Sequence, residues 1–224
     1  RTGQVLWKSQ DDRAANAAPI VTTFAATEPP QIVAFTVEGL IGLNLDDGAL
    51  LWRVPMTTTY GRHVMTPVVV DGIVMVASKE KSLIGVAPAP DPVARRWNVP
   101  IVWEAKEILV NFSSPVAVQG HLYGLGPERN LFCVEVKTGA VKWSKEGFAT
   151  QSAEKSHLAL VAVGGHLLAL TETGELVLVA ADPTGYRELG RTQACGSNWC
   201  NPAYADGRLY LRDGKELTCL QLTP

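Results

Sequence analysis

The side chains best equipped to bind or react stand just ahead of apolar runs. Aligned on Pro67, Pro115, Leu160 and Pro202 and read four places back, the chain offers His63, Asn111, Ser156 and Asn198, all polar. The next place in each segment holds Val64, Phe112, His157 and Trp199, which add aromatic surface, and Tyr60, Arg62 and Lys155 fall in the same stretches. Hydroxyl, amide and imidazole groups beside aromatic rings can hydrogen-bond and stack a small ligand or dock a protein. None of the four polar places holds a carboxylate. A further segment, aligned on Pro19, has Ala15 in the polar place, and polar residues also serve simply to solvate loops.

No reaction motif accompanies this set. The nucleophile elbow G-x-S-x-G, the zinc motif H-E-x-x-H and the phosphate-binding P-loop are absent. Gly120-His121-Leu122-Tyr123-Gly124-Leu125-Gly126 lacks the spacing of a dinucleotide fingerprint and reads as a strand. His121 and His166 each follow a turn glycine, which makes them turn-flanking residues rather than a ligand pair. Asp46, Asp47, Asp71, Asp182, Asp206 and Asp213 sit in or beside turns, where carboxylates bond local backbone. Asn111-Phe112-Ser113 is a formal glycosylation sequon, a short match of low specificity. The residues therefore assign no catalytic side chain and no metal site.

Short strands must position these groups. The 224 residues include 20 Gly and 14 Pro, and the longest stretch free of both is 148–163, so long helices have little room. Runs such as Val68-Val69-Val70, Ile73-Val74-Met75-Val76 and Leu176-Val177-Leu178-Val179 are bounded by Asp-Gly, Gln-Gly or Gly-Gly pairs, which favour tight hairpins. Apolar residues at 46% and charged residues at 19% mark an ordinary globular chain rather than a disordered one or a coiled coil. With 20 Lys plus Arg against 22 Asp plus Glu there is no basic surplus to displace counterions from a phosphate backbone, so no nucleic-acid partner is expected. The most apolar stretch, His157 to Leu170, carries two His and a Gly-Gly and falls short of the roughly 20 residues of a membrane-spanning helix. The chain opens on Arg1-Thr2-Gly3 with no leader pattern, so any secretory signal is expected to have been removed or to lie outside this segment.

A repeat organises the strands. Thr66 to Gly72, Ser114 to Gly120, Ala159 to Gly165 and Asn201 to Gly207 align without gaps, and their final glycines are spaced 48, 45 and 42 residues apart. Gly followed four places later by Trp recurs at Gly3 and Trp7, Gly48 and Trp52, and Gly139 and Trp143, with Gly185 and Leu189 as a degenerate copy and Trp103 midway between Trp52 and Trp143. Four antiparallel strands, A to D, in a period of about 45 residues is the arithmetic of a β-propeller blade. The expected fold is thus all-β, with Trp7, Trp52, Trp103 and Trp143 at the start of strand D as structural blade-docking residues.

Cys133-Val134-Glu135-Val136-Lys137-Thr138-Gly139-Ala140-Val141-Lys142-Trp143 resembles the tryptophan-docking repeat of quinoprotein alcohol dehydrogenases, with Glu135 in place of its Asp. Gly42 to Trp52 and Thr2 to Trp7 are looser copies. Together with Ala205 to Asp213, the pattern is similar to the PQQ-binding-like β-propeller repeat family, which includes the propeller lipoprotein of the outer-membrane barrel assembly machinery. The resemblance implies an extracytoplasmic, periplasmic or envelope-associated protein acting as a non-catalytic scaffold, without cofactor, for a protein or small ligand. It also implies an alternative, a dehydrogenase in which PQQ stacks on a Trp floor beside Ca²⁺. Relatives of that kind commonly carry an adjacent Cys-Cys pair, which this sequence lacks. A third reading is a carbohydrate or small-ligand module stacking on Trp199, Phe112 and Tyr60.

The expected divisions are strand D at 1–10, with Val5 to Lys8 its centre, blades at 18–56, 63–106, 111–147 and 156–191, and an incomplete blade at 195–224. These make about five blades: either Val5 to Lys8 closes a five-bladed ring by pairing with the last blade, or, as is expected, the chain is the C-terminal sector of a propeller of about eight. In this frame the polar places should ring one mouth of the central channel. Cys133 and Cys219 share a strand-C slot that holds Gly42 and Gly85 elsewhere, so they are expected as buried free thiols. Cys195 and Cys200, in Cys-Gly-Ser-Asn-Trp-Cys, are candidates for a local disulfide.

Overall fold

The computed structural model describes residues 2–25, 28–149 and 156–222. They form 21 strands and no helix, gathered into two compact units, 1–109 and 110–224.

The first unit holds two blades. One is the meander β1 (Ile20–Thr22), β2 (Gln31–Phe35), β3 (Gly39–Asn44) and β4 (Leu50–Pro55). The other contains β5 (Val68–Val70), β6 (Ile73–Val76) and β7 (Leu83–Val86), continues through a separate hairpin of β8 (Ala89–Asp91) and β9 (Arg96–Asn98), and ends with β10 (Ile101–Ala105) beside β7. Val33, Phe35, Leu40 and Trp52 of the first sheet pack against Val74, Val76, Ile84 and Val86 of the second.

The second unit repeats the pattern. Its blades are β11 (Val116–Val118), β12 (His121–Leu125), β13 (Leu131–Glu135) and β14 (Val141–Lys145), then β15 (Leu158–Val163), β16 (His166–Thr171), β17 (Glu175–Ala180) and β18 (Glu188–Gln193). A three-stranded sheet follows, β19 (Ala203–Ala205), β20 (Arg208–Arg212) and β21 (Leu217–Gln221). Tyr123, Leu131 and Cys133 meet Leu158, Leu167, Val177 and Val179 in one apolar layer. Leu168, Leu170 and Leu176 meet Leu209 and Leu211 in the next. A sheet with two apolar faces is stable only between neighbours.

The recurring x-Gly pairs close the A-to-B hairpins. Asp71-Gly72, Gln119-Gly120, Gly164-Gly165 and Asp206-Gly207 all have positive φ at both positions, the signature of a type I′ turn whose twist suits the flanking strands. His121 and His166 each place Nδ1 3.0 Å from the carbonyl two residues back, so both are turn-flanking. The turn carboxylates bond local amides: Asp47 accepts from Ala49 N, Asp182 from Thr184 N, and Asp213 from Lys215 N and Glu216 N. At the position where the repeat has Glu135 for Asp, the longer carboxylate accepts the Thr138 hydroxyl.

The strand-C slot is small because an indole fills it. Gly42 lies opposite Trp52 and Gly85 opposite Trp103, and a Cβ on either glycine would fall inside the ring. Cys133 lies opposite Trp143. A bulge just before each tryptophan sets this register. In the β17–β18 pair the bulge leaves Gly190, not Leu189, in the tryptophan place, and Leu178 faces it from strand C. The large residue has changed strands, so the Gly185–Leu189 copy is displaced by one.

Three further expectations change. No strand occupies residues 2–19, including Val5 to Lys8, because the segment has no ladder partner among the described residues. Instead it crosses the first sheet: Trp7 Nε1 donates to Leu45 O at 3.2 Å, Ser9 Oγ to Gly48 O, and Arg53 grips Asp12 with both terminal nitrogens at 2.7 and 2.8 Å. Cys133 is buried but Cys219, on the outer strand of its sheet, is exposed. Cys195 and Cys200 are free thiols, so the candidate disulfide is not formed. Hydrogen bonds hold that loop instead, with Cys195 N and Ala194 N both donating to Gly174 O.

Candidate functional site

The polar places ahead of each first strand are buried, not solvent-facing. Relative exposure is 0% for His63, 6% for Asn111, 4% for Ser156, 6% for His157 and 4% for Asn198. Two of them show what the position does. His63 Nδ1 lies 2.5 Å from Thr36 O, and Asn198 Nδ2 donates to Thr171 O at 3.0 Å; both reach 27 residues back to the corner between strands B and C of the preceding blade. Asn198 N adds a bond to Glu172 O at 3.1 Å. Corner carbonyls left over from the ladders need partners, and the polar side chain of the next blade supplies one. At His63 and Asn198 the position is therefore a pin between consecutive blades.

Burial sets the chemistry of these rings. His63 stacks on Phe35 with centroids 4.0 Å apart and planes 12° apart. Loss of hydration holds its pKa below the ordinary imidazole value, with the Thr36 carbonyl, Glu80 and Glu38 opposing only in part. His157 is likewise held low by burial. Asn111 is enclosed, which withdraws its sequon from glycosylation.

The tryptophans form a second set of pins, running the other way. Trp7 Nε1 reaches Leu45 O, 38 residues ahead, and Trp143 Nε1 reaches Asp182 O at 2.8 Å, 39 residues ahead; both acceptors begin the C-to-D connection of the next sheet. Trp7 also packs on Gly48 and Trp143 edge-on to Tyr186. Burial and the Glu188 carboxylate raise the Tyr186 phenol to about 12. Trp52 departs from the set. The corresponding place ahead of it is Pro90 or Asp91, inside the inserted hairpin, and Trp52 Nε1 donates to Gln31 Oε1 within its own sheet at 2.7 Å. Trp97 of the hairpin fills the gap, meeting Phe24, which in turn meets Trp52, each pair at 6.0 Å. Trp103 is 9% exposed over Gly85.

What remains accessible from the predicted set is small. Tyr60 is 74% exposed with the Arg62 guanidinium 5.4 Å from its ring centre, beside a groove of about 280 Å³ edged by Lys79 and Glu80. Trp199 is 53% exposed. It lies against His157, centroids 5.4 Å and planes 27° apart, and edge-on to Phe112 at 5.5 Å. The structure thus brings Phe112, His157 and Trp199 together in the second unit, whereas Tyr60, Arg62 and His63 belong to the first. Lys155 lies outside the described residues.

Sequence reasoning missed the β8–β9 hairpin. With Leu50 and Leu51 of β4 it borders a groove of about 550 Å³ that also carries Arg95, Arg96 and Trp97. Its signals were the lengthened spacing of 48 residues and the run Pro88-Ala89-Pro90-Asp91-Pro92.

The residues do not suit PQQ with Ca²⁺. A calcium site takes about six to eight oxygen ligands, carboxylates prominent among them. The pin positions hold no carboxylate, and their side chains are engaged with backbone or enclosed. Among the described residues no three His, Cys, Asp or Glu are grouped to hold a metal. Among the described residues no helix is long and apolar enough to cross a membrane.

Within each unit, four-stranded antiparallel sheets sealed to one another by apolar layers are the blades of a β-propeller. Residues 1–145 match the family described as outer membrane protein assembly factor BamB, and the chain belongs to that family. Among solved structures it is similar to BamB from Moraxella catarrhalis, with TM-score 0.70 and 15% identity over 97% of this chain and 63% of that one. It is also similar to the quinohemoprotein alcohol dehydrogenase ADHIIG from Pseudomonas putida HK5, with TM-score 0.60 and 13% identity over 96% of this chain and 40% of that one. The chain therefore spans less than two thirds of either structure. No curated protein matches it.

Proposed function

We propose that the chain is a non-catalytic propeller scaffold of the bacterial cell envelope, serving the assembly of outer membrane proteins by holding a partner protein. Family membership supports the setting. The observation that carries the non-catalytic reading is the engagement of His63 and Asn198 in backbone pins, which removes from service the groups best placed to handle a substrate. The partner surface consists of the exposed loop side chains, Tyr60 and Arg62 foremost. Arginine and tyrosine are the side chains that most often anchor protein interfaces.

Complementation tests this reading. A bacterium lacking its own relative should regain normal outer membrane protein levels when this protein is supplied, and a Tyr60→Ala, Arg62→Ala double variant should fail while remaining folded. Purified protein mixed with PQQ and Ca²⁺ should reduce no electron-acceptor dye in the presence of alcohols. Turnover in that assay would replace the scaffold by an enzyme.

A further inference from the structure

Given the scaffold reading, on which this rests, we infer that the partner docks at Tyr60 and Arg62 through an extended acidic segment, laid in a trench between residues 54–62 and 78–84 of the first unit. The groove of about 280 Å³ beside Tyr60 has Thr58 and Arg62 on one wall and Ser78, Lys79 and Glu80 on the other. A second groove of about 320 Å³ has Pro55, Met56 and Thr57 on one wall and Lys81, Ser82 and Ile101 on the other. Thr57 adjoins Thr58 and Lys81 adjoins Glu80, so the second groove continues the first. Both walls are braced from within. Thr59 N donates to Glu80 Oε2 at 2.8 Å and Gly61 N to Thr58 O at 3.2 Å, while Ser78 Oγ accepts Glu80 N at 3.2 Å and Lys81 N at 3.0 Å. Walls already held in place lose little conformational freedom when a ligand arrives.

Charge decides what lies there. Arg62, Lys79 and Lys81 are exposed, and none of them forms an ion pair among the described residues. The two carboxylates along the path are committed to their own walls, Glu80 to Thr59 N and Glu104 to the Ser82 hydroxyl. Three cations thus gather at the Tyr60 end around one carboxylate already bonded, in a chain whose net charge is −2. At the other end Ile101 is 55% exposed, beside Pro55 and Met56. Cations at one end and apolar side chains at the other complement a peptide in which Asp or Glu residues precede apolar ones. A free anion would use the cations alone, and a path walled on both sides suits a chain rather than the flat surface of a membrane.

An array of short peptides tests this on the whole protein. Peptides joining several Asp or Glu to apolar residues should be retained, and the same peptides with Lys in the acidic places should not. In solution, anisotropy of the best-retained acidic peptide should show binding that weakens as salt rises from about 0.05 M to about 0.5 M. The double variant Lys79→Glu, Lys81→Glu should weaken it by at least about tenfold and bind the Lys peptide more tightly instead, whereas Lys79→Arg, Lys81→Arg should keep it. Ile101→Ser should weaken it several-fold without changing the salt dependence. All these side chains are exposed, and thermal unfolding checks that each variant stays folded. If the unaltered protein complements but no acidic peptide is preferred to its Lys counterpart, the scaffold role stands and the acidic partner falls. If the acidic peptides bind but the protein does not complement, the trench chemistry stands and the scaffold role falls. Unchanged affinity after charge reversal, or tighter binding to phosphatidylglycerol vesicles than to every acidic peptide, would overturn the assignment.

Discussion

Trp143 Nε1 donates to Asp182 O across 2.8 Å, carrying a bond from the outer strand of one sheet to the corner of the next. Trp7, which lies in no strand, donates in the same way to Leu45 O at the corner of the first sheet. His63 and Asn198 tie the opposite corners from the inner side. The inner pins thus join the β5 sheet to the β2–β3 corner and the β19 sheet to the β16–β17 corner, the outer pin joins the β14 sheet to the one that follows it, and an apolar layer lies at each of these seams.

Removing the Trp143 fastening should cost in two separable steps. Trp143→Phe loses the indole donor but keeps much of the apolar area, for about 1 kcal/mol. Trp143→Ala should lose about 3 kcal/mol, the low end for a large aromatic because the ring is only partly buried. Urea unfolding of both variants gives the two values.

The indole-filled slot predicts a contrast among small residues. Gly42→Ala and Gly85→Ala each push a methyl group into a tryptophan and should destabilise by about 1–3 kcal/mol. Cys133→Ala adds nothing to the same slot and should cost less than about 1.5 kcal/mol, being a modest change of volume. Denaturation midpoints rank the three.

Stability should fall below about pH 6.5, the unperturbed imidazole value. His63 is held below that value in the folded protein by burial, so its contribution is complete when unfolded and folded forms are both neutral. As the pH drops, the unfolded chain binds a proton that folded His63 refuses, and stability is lost until the folded pKa is reached. His157 acts in the same sense. In urea titrations at about pH 7.5 and about pH 5.5, His63→Gln should show a smaller loss between the two than the unaltered protein.

Thiol labelling should sort the cysteines by environment. Exposed Cys219 should react with an aromatic disulfide reagent in the native protein at neutral pH. Cys133 is buried and its thiol is pushed up to about 11; it should react only on unfolding. Cys195, raised by burial, should react more slowly than Cys219. Mass spectrometry of timed samples distinguishes these orders, and fast labelling of Cys133 would contradict its enclosure.

The propeller was legible in the residues because its markers are local. Positive φ at Asp71-Gly72 and a glycine under each of two tryptophans are demands that only a few residue types meet. The offset to His63 and Asn198 was legible too, but not its meaning. Periodicity locates a side chain along the chain, whereas its burial depends on Thr36 and Thr171, 27 residues away. Gly190 was missed because a bulge changes which residue faces the partner strand without changing composition. The β8–β9 hairpin was missed because strands of three residues, one of them holding a proline, carry little alternation.

That hairpin leaves the second blade with a corner free of obligations. Trp52 finds its acceptor at home, so Trp97 and Val99 seat the insertion on the core, and at its tip Val93 is 94% exposed, with Val93 N and Ala94 N held by Asp91 Oδ1 of the same hairpin. Lineages can rewrite the stretch from Pro92 to Arg95 without unseating a sheet. An epitope or fluorophore grafted there should report on the molecule while leaving its architecture undisturbed.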